Sequence, residues 1–523
     1  MVVIGKNVIE NLTTAMYEIS YTVYREYIQN AADSIDKAIS IGLIDKSVAT
    51  IDIEINHAKR QIIIYDNAMG ISAANFYKIL TDVADSTKDR TKDKGFRGIG
   101  RLAGLAYCKK LIFCSTYSGE DVESILEWDG VKLREILNDD KQHPSASELI
   151  DSIISNSTKS ADKDNHYFKV IMDGIVPEAD DLLDVKKVID YLKAVAPVPY
   201  ENYFYFRSKI KQYCEEENLK IDEYNINING NRLGKYYTTK IHGKNGNDID
   251  EIIDLSFKKF TNKEGKLIAW MWFGIMNFVG VIPAENKMRC LRLRKDNIQI
   301  GDEDTLKDFF KEPRGNSYFV GEVYAIDNDL IPNARRDYFI KNAACKEFEK
   351  IIKPFLYNEL SKLYRDASTT KNIFKKEEEL LKKTQEYNIK EKKGLFINEE
   401  EKKQAKKDLE DVQNKVQKNK RTLEGIKKKA ETDPILKKVY NQIEEKYDQN
   451  LKSDIDQQNV LDKEGKKNNK KYLSQALTKY GRKEQKLISR IYGIIMAMLP
   501  KDMAEMVITK IQEELSKWQE KFY

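Results

Sequence analysis

The alternation of apolar and polar positions changes character along this chain, and each change predicts an element. Tyr24-Arg25-Glu26-Tyr27-Ile28-Gln29-Asn30-Ala31-Ala32-Asp33-Ser34-Ile35-Asp36-Lys37 has helical composition and stacks Glu26, Asn30 and Asp33 on one face at i, i+4 and i+7. Apolar Ile62 to Ile64 predict a strand running into a tight turn over residues 67–70. Residues 109–115 predict a strand, and residues 124–128 its hairpin partner across Ser118-Gly119-Glu120-Asp121. Residues 167–172 are expected as a further strand, and Asn225-Ile226-Asn227-Ile228-Asn229 alternates strictly before Gly230-Asn231, a hairpin signal. The apolar run 267–274 reads as a core strand.

From Lys341 onward the pattern is nearly all helical. Ala405, Leu409, Val412, Val416, Asn419, Leu423, Ile426 and Ala430 follow a heptad seam with one polar insertion, Asn419, and Pro434 is expected to stop it. Its partner is either a returning helix of the same chain or a second subunit. Residues 454–471 are polar and read as a loop. Ala504, Ile508, Ile511, Leu515, Trp518 and Phe522 again keep heptad spacing, and with residues 487–499 they predict an apolar helical pair suited to dimerisation or to packing within one chain. The fold class is therefore α+β: an α/β domain over 1–200 ending near Ala196-Pro197-Val198-Pro199, a mixed domain over 201–345, a helical coiled-coil region over 346–470 and a C-terminal helical element over 471–523.

Composition narrows the class. The 523 residues are 33% charged and 41% hydrophobic. No apolar run approaches the ~18 residues of a membrane span, and the start of the chain lacks a signal-peptide pattern. Five scattered cysteines without a Cys-x-x-Cys pair argue for a reducing cytosol and against a zinc site, so a cytoplasmic protein with no membrane partner is expected. Residues 371–523 carry a net charge of +10 and the remainder −5. A basic tail on an acidic body suits nucleic acid, although a solvated helix with mixed charges reads the same way.

Three segments carry candidate chemistry. A carboxylate one turn from a carboxamide suits a hydrated cation and a water molecule, with Asn30 as an oxygen ligand to Mg²⁺ and Glu26 as base. A solvated polar face is the plain alternative. In Tyr65-Asp66-Asn67-Ala68-Met69-Gly70, an acid at a strand end beside Gly70 can accept a hydrogen bond from the amino group of a ring packed on the turn, or it is an ordinary turn acid. In Gly95-Phe96-Arg97-Gly98-Ile99-Gly100-Arg101-Leu102-Ala103-Gly104, close glycines let backbone N–H groups approach an anion, and a helix expected near Gly100 adds its positive end. The segment is neither a Walker loop nor a dinucleotide fingerprint. Residues 82–94 just before it are polar, like a loop that closes over a ligand.

In this order, the three segments resemble the ATP-binding domain of the GHKL superfamily, which holds gyrase, the ninety-kilodalton heat-shock chaperones, histidine kinases, MutL and the MORC proteins. Residues 25–37 are most similar to the chaperone motif and Gly95-Phe96-Arg97-Gly98 to the MutL loop. No histidine precedes the first motif in this sequence, which sets the histidine kinases aside. The resemblance implies a Bergerat-type α/β sandwich followed by a mixed α/β transducer (middle) domain, with ATP and Mg²⁺ as ligands. It implies Glu26 as general base, Asn30 as the Mg²⁺ ligand, Asp33 on the pocket wall, Asp66 as reader of the adenine amino group with Gly70 letting the ring approach, and Gly95, Gly98 and Gly100 at the phosphates. Ala68 stands where the family has the first glycine of its Asp-x-Gly-x-Gly. The family's Gly-Thr pair on a later strand has no counterpart in 165–172. Residues 329–339 resemble the middle-domain segment of the chaperones, which implies that Arg336, or failing it Arg335, reaches the γ-phosphate. The cluster Lys287, Arg289, Arg292, Arg294 and Lys295 competes for that role. The implied function is an ATP-hydrolysing homodimeric clamp on a protein client. The alternatives are a clamp on nucleic acid, in DNA repair or antiviral defence, and an ATP-binding scaffold without turnover.

Overall fold

The computed structural model describes residues 4–13, 19–83, 94, 98, 100–393, 395–396, 399–465 and 482–522. The chain divides into two compact units, Met1–Tyr364 and Arg365–Tyr523. Among the described residues no helix is long and apolar enough to cross a membrane.

The first unit opens with α1 (Asn7–Thr13) and α2 (Thr22–Ser40), then the hairpin β1 (Ile51–Asn56) and β2 (Gln61–Asp66), and α3 (Ala73–Thr81). A 3₁₀ helix, Gly100–Ala106, leads into β3 (Cys108–Thr116) and β4 (Val122–Asp129). Next come α4 (Gly130–Asn138), capped by the Asp129 side chain, and α5 (Ala146–Ile153), which starts on a Ser145–Glu148 capping box. β5 (Ile154–Ser160), β6 (Tyr167–Ile175), α6 (Val185–Val195), α7 (Arg207–Glu216), β7 (Ile226–Ile228) and β8 (Asn231–Arg232) complete an eight-stranded sheet of order β5-β4-β3-β6-β2-β1-β7-β8. Its pairs are antiparallel except β1 with β7. The expected hairpin at 225–231 thus lies on the edge of this sheet.

Alternation explains which face is covered. Ile62, Ile64 and Asp66 of β2 are buried while Gln61, Ile63 and Tyr65 are half-exposed. The same face of β3 and β6 buries Leu111, Phe113, Val170 and Met172. Against it pack Val23, Tyr24, Tyr27, Ile28, Ala31 and Ile35 of α2 in one continuous core. Each large side chain so buried contributes about 1.5–3 kcal/mol, and this burial fixes the rotation of α2 and hence where its polar face points. A large mixed sheet with helices on one face fits a GHKL ATPase fold.

The strands β9 (Lys240–His242) and β10 (Asp248–Glu251) pair with each other. A five-stranded sheet follows, in the order β11 (Asp254–Thr261), β12 (Leu267–Ile275), β15 (Val320–Ala325), β13 (Cys290–Lys295) and β14 (Ile298–Gln299). β12 is buried almost throughout, as its unbroken apolar run requires. The unit continues through α8 (Ala343–Pro354).

α9 (Ser361–Lys393) begins at the end of the first unit, and the second unit is helical: the rest of α9, α10 (Glu399–Thr432), α11 (Pro434–Gly465), then the helices Arg482–Met498 and Lys501–Phe522. The seam positions of α10 are its least exposed: Val412, Val416, Ile426 and Ala430 are buried and Ala405, Leu409, Asn419 and Leu423 half-buried. They pack within the chain, where α10 meets α11, whose Leu436, Val439, Tyr440 and Ile443 are buried. Phe374 of α9 stacks on Tyr447. The seam helix stops before Pro434 as expected, whereas the loop expected over 454–471 is corrected. Pro434 ends α10 but also opens α11 as its first residue, with Asp433 Oδ1 accepting from the N–H groups of Ile435 and Leu436. Residues 454–465 are helical rather than a loop, because a polar stretch without proline or glycine before Gly465 has nothing to break it; residues 466–471 of that expected loop lie outside the described residues. In the last helix Ala504 and Ile508 are buried and Ile508 meets Ile488 and Tyr492, while the Trp518 and Phe522 side chains lie outside the described residues.

Candidate functional site

The polar face of α2 and the glycine segment meet. Glu26 is so close to Gly100 that a Cβ there would lie 2.4 Å from Glu26 Oε2, so only glycine fits without displacing the carboxylate. Asp33 accepts the N–H of Lys94 at 2.9 Å. The Tyr27 hydroxyl donates to the Arg101 carbonyl and accepts from the Gly104 N–H, both at 3.0 Å. Asn30 is half-buried on the same face, one turn beyond Glu26. Gly98 has φ +70°. Gly95 lies outside the described residues, as do Phe96, Arg97, Ile99 and the polar run 84–93. The helix expected at Gly100 is a seven-residue 3₁₀ turn rather than an α-helix, so it brings a weaker positive end than expected.

Glu26 also meets two guanidinium groups. Arg336 Nε lies 3.4 Å and Arg25 Nη2 3.8 Å from Glu26 Oε1. Arg336 is buried, and its Nη2 donates to the Lys94 carbonyl at 2.5 Å. Arg335 is exposed, and its carbonyl accepts from Arg25. Of the competing basic cluster, Arg294 is spent on the buried carboxylate of Glu322, Arg292 on Glu303, and Lys295 on the carbonyls of Ile326 and Asp327.

Asp66 ends β2 on the sheet face that α2 covers, and it is 3% exposed. It accepts one hydrogen bond, from the Ala68 N–H at 3.2 Å. Burial pushes its carboxyl up to about 8, only partly offset by that N–H. The residue opposite it on β6 is Phe168, so the strand that would carry the missing threonine offers an aromatic ring instead. The turn is held from several sides. Asn67 accepts from the Thr50 N–H and donates to the Val48 carbonyl. His166 Nδ1 donates to the Ala68 carbonyl at 2.7 Å. Ser115 Oγ accepts from the Ile71 N–H and donates to the Tyr167 carbonyl. Ala68 has no left-handed backbone, so glycine is not required there, whereas Gly70 has φ +67° and a Cβ would meet the Thr116 carbonyl at 1.9 Å.

The donor set suits a magnesium nucleotide. Among the described residues no three His, Cys, Asp or Glu side chains gather to cage a metal. Mg²⁺ needs no such cage, being held by one or two protein oxygens and the phosphates. Asp66 keeps acceptor capacity beyond its single N–H, which leaves room for a ligand's donor at the end of β2. Lys94, His166 and Ser115 were missed in the sequence, where none stands in a recognisable pattern.

No curated protein matches the chain. Residues 17–165 match the family model described as histidine kinase-, DNA gyrase B-, and HSP90-like ATPase. That stretch holds α2, the strands β1 to β5 and the glycine segment and stops just before β6, and the match supports a GHKL-type ATPase domain, with ATP as its ligand, in this part of the chain.

Proposed function

We propose that this protein is an ATP-hydrolysing molecular clamp. The observation that carries the reading is Glu26 set between Gly100 and Arg336 at the polar face of α2. In this reading Glu26 orients and deprotonates the attacking water, and Arg336 stabilises charge on the transferred phosphoryl group. Asn30 holds Mg²⁺ together with the phosphates, and the ion supplies charge neutralisation there. The N–H groups of Gly98 and Gly100, with Gly95, receive phosphate oxygens, and Asp66 beside Gly70 accepts from the adenine amino group, with Asp33 bracing the wall. Glu26→Ala is expected to keep ATP affinity within about threefold and to lower turnover by roughly 100-fold or more. Asp66→Asn is expected to lose ATP binding. Normal turnover in the Glu26 variant, read by phosphate release, refutes the assignment.

A protein client held between two copies is the favoured use. The +10 net charge of residues 371–523 supports a second reading, a clamp on nucleic acid. ATPase rate with and without duplex DNA at two salt concentrations separates them: stimulation that falls steeply with salt indicates nucleic acid. ATP binding without phosphate release in the wild type indicates the scaffold.

A further inference from the structure

We propose that Lys94 is a positioning residue that sets the Glu26–Arg336 pair; this rests on reading that pair as the hydrolytic centre. Lys94 is 7% exposed and engaged through both backbone groups and its side chain. Its N–H donates to Asp33 at 2.9 Å, and its carbonyl accepts from Arg336. Its ammonium lies 2.6 Å from Asp36 and 3.4 Å from Asp222, over the Tyr224 ring. The Tyr224 hydroxyl donates to the same Asp36 oxygen at 2.7 Å. Burial opposes the charge, but Tyr224, Asp222 and Asp36 outweigh it, so the ammonium holds its proton more tightly than an ordinary lysine.

Asp33 and Asp36 lie about one turn apart on the helix that carries Glu26, so a single residue grips that helix twice. Asp222 extends the tie to the five-stranded sheet: its carbonyl accepts from Asn297 Nδ2 at 2.6 Å, and Asn297 lies in the turn between β13 and β14. The Lys94 carbonyl is therefore fixed from two directions, and it is the acceptor that orients the Arg336 guanidinium. Removing the ammonium leaves Asp36 and Asp222 without their shared cation and frees that carbonyl. Among the described residues the partners of Lys94 are on α2, the 222–224 segment and Arg336, away from Asp66 and the 67–71 turn, so the effect belongs on the chemical step and not on holding the adenine.

The test compares Lys94→Met and Lys94→Arg. In Lys94→Met, kcat for ATP is expected to fall roughly 10- to 100-fold with KM within about threefold. Lys94→Arg is expected to recover most of that loss, since it restores a cation between the two acids. In the nucleotide-free protein, amide exchange over residues 333–339 is expected to quicken about tenfold in Lys94→Met and not in Lys94→Arg. Should Lys94→Met fold poorly, Asp222→Asn carries the same comparison with a smaller loss. Unchanged kcat and exchange in Lys94→Met, kcat and KM moving together, or no recovery with arginine overturns the proposal. A wild type that binds ATP without turnover sinks the hydrolytic reading instead, and the exchange measurement still decides whether Lys94 holds Arg336.

Discussion

A carboxyl group with a single N–H donor and an aromatic ring across the sheet from it holds on to its proton. Asp66 is that group, with its pKa raised by burial to about 8. The sign follows from proton counts. Between about pH 4, where an unfolded aspartate ionises, and pH 8, the folded chain keeps a proton that the unfolded chain has released, so stability falls as pH rises through that window. Asp66→Asn removes this dependence. Denaturant titrations at pH 5 and pH 8 should show the wild type losing on the order of 2–4 kcal/mol more than the variant, at about 1.4 kcal/mol per unit; parallel losses would refute the cause. At this scale the sequence was legible wherever chemistry is local. The spacing of Glu26, Asn30 and Asp33 on a helix, and an acid at the end of an Ile-rich strand, are properties of a few consecutive residues. Phe168 opposite Asp66 and Lys94 between Asp36 and Asp222 are matters of register and of long loops, and no local pattern encodes them.

Among the elements, the fully buried Glu322 on β15 joins the five-stranded sheet to the segment that precedes it. It accepts from Arg294 on β13, from Lys235 at 2.8 Å, and from the hydroxyls of Tyr200, Tyr237 and Tyr324. Burial opposes its ionisation, but Arg294 and Lys235 hold the carboxyl well below the usual range. Arg294 also donates to the Ala194 carbonyl at the end of α6. Glu322→Gln leaves the buried Arg294 without its counter-charge and Lys235 without the carboxylate that favours its ammonium, and should cost about 3–5 kcal/mol, read by chemical denaturation; a loss under 1 kcal/mol would show that the cluster is dispensable. Strands β3, β4, β7 and β12 were legible from alternation or from apolar runs closed by turn residues. The full length of α11 was not, because a polar stretch has the composition of a loop, while only proline or glycine would break the helix.

For the whole molecule, the proposed dimer finds support in the C-terminal helices. Leu487, Ile491, Ile494 and Met498 form an exposed apolar stripe along Arg482–Met498, and Met503 and Met506 are exposed on the next helix. Their 4-3-4 spacing is that of a seam awaiting a like seam. Ile491→Glu with Ile494→Glu should convert a dimer to a monomer in sedimentation equilibrium at micromolar concentration, with the first unit's unfolding unchanged. A wild type that is monomeric there removes the dimer from the clamp.

Arg336 itself sits at φ +57°. Its loop is closed by the Asn333 N–H on the Tyr338 carbonyl, the Ile340 N–H on the Ile331 carbonyl, and the Gly301 N–H on the Arg336 carbonyl. A non-glycine residue settled in the left-handed region is a backbone shape already chosen. In the proposed hydrolysis, the freedom that a wandering loop arginine would surrender at every turnover is surrendered once, when the chain folds, and only the side-chain torsions remain to be set.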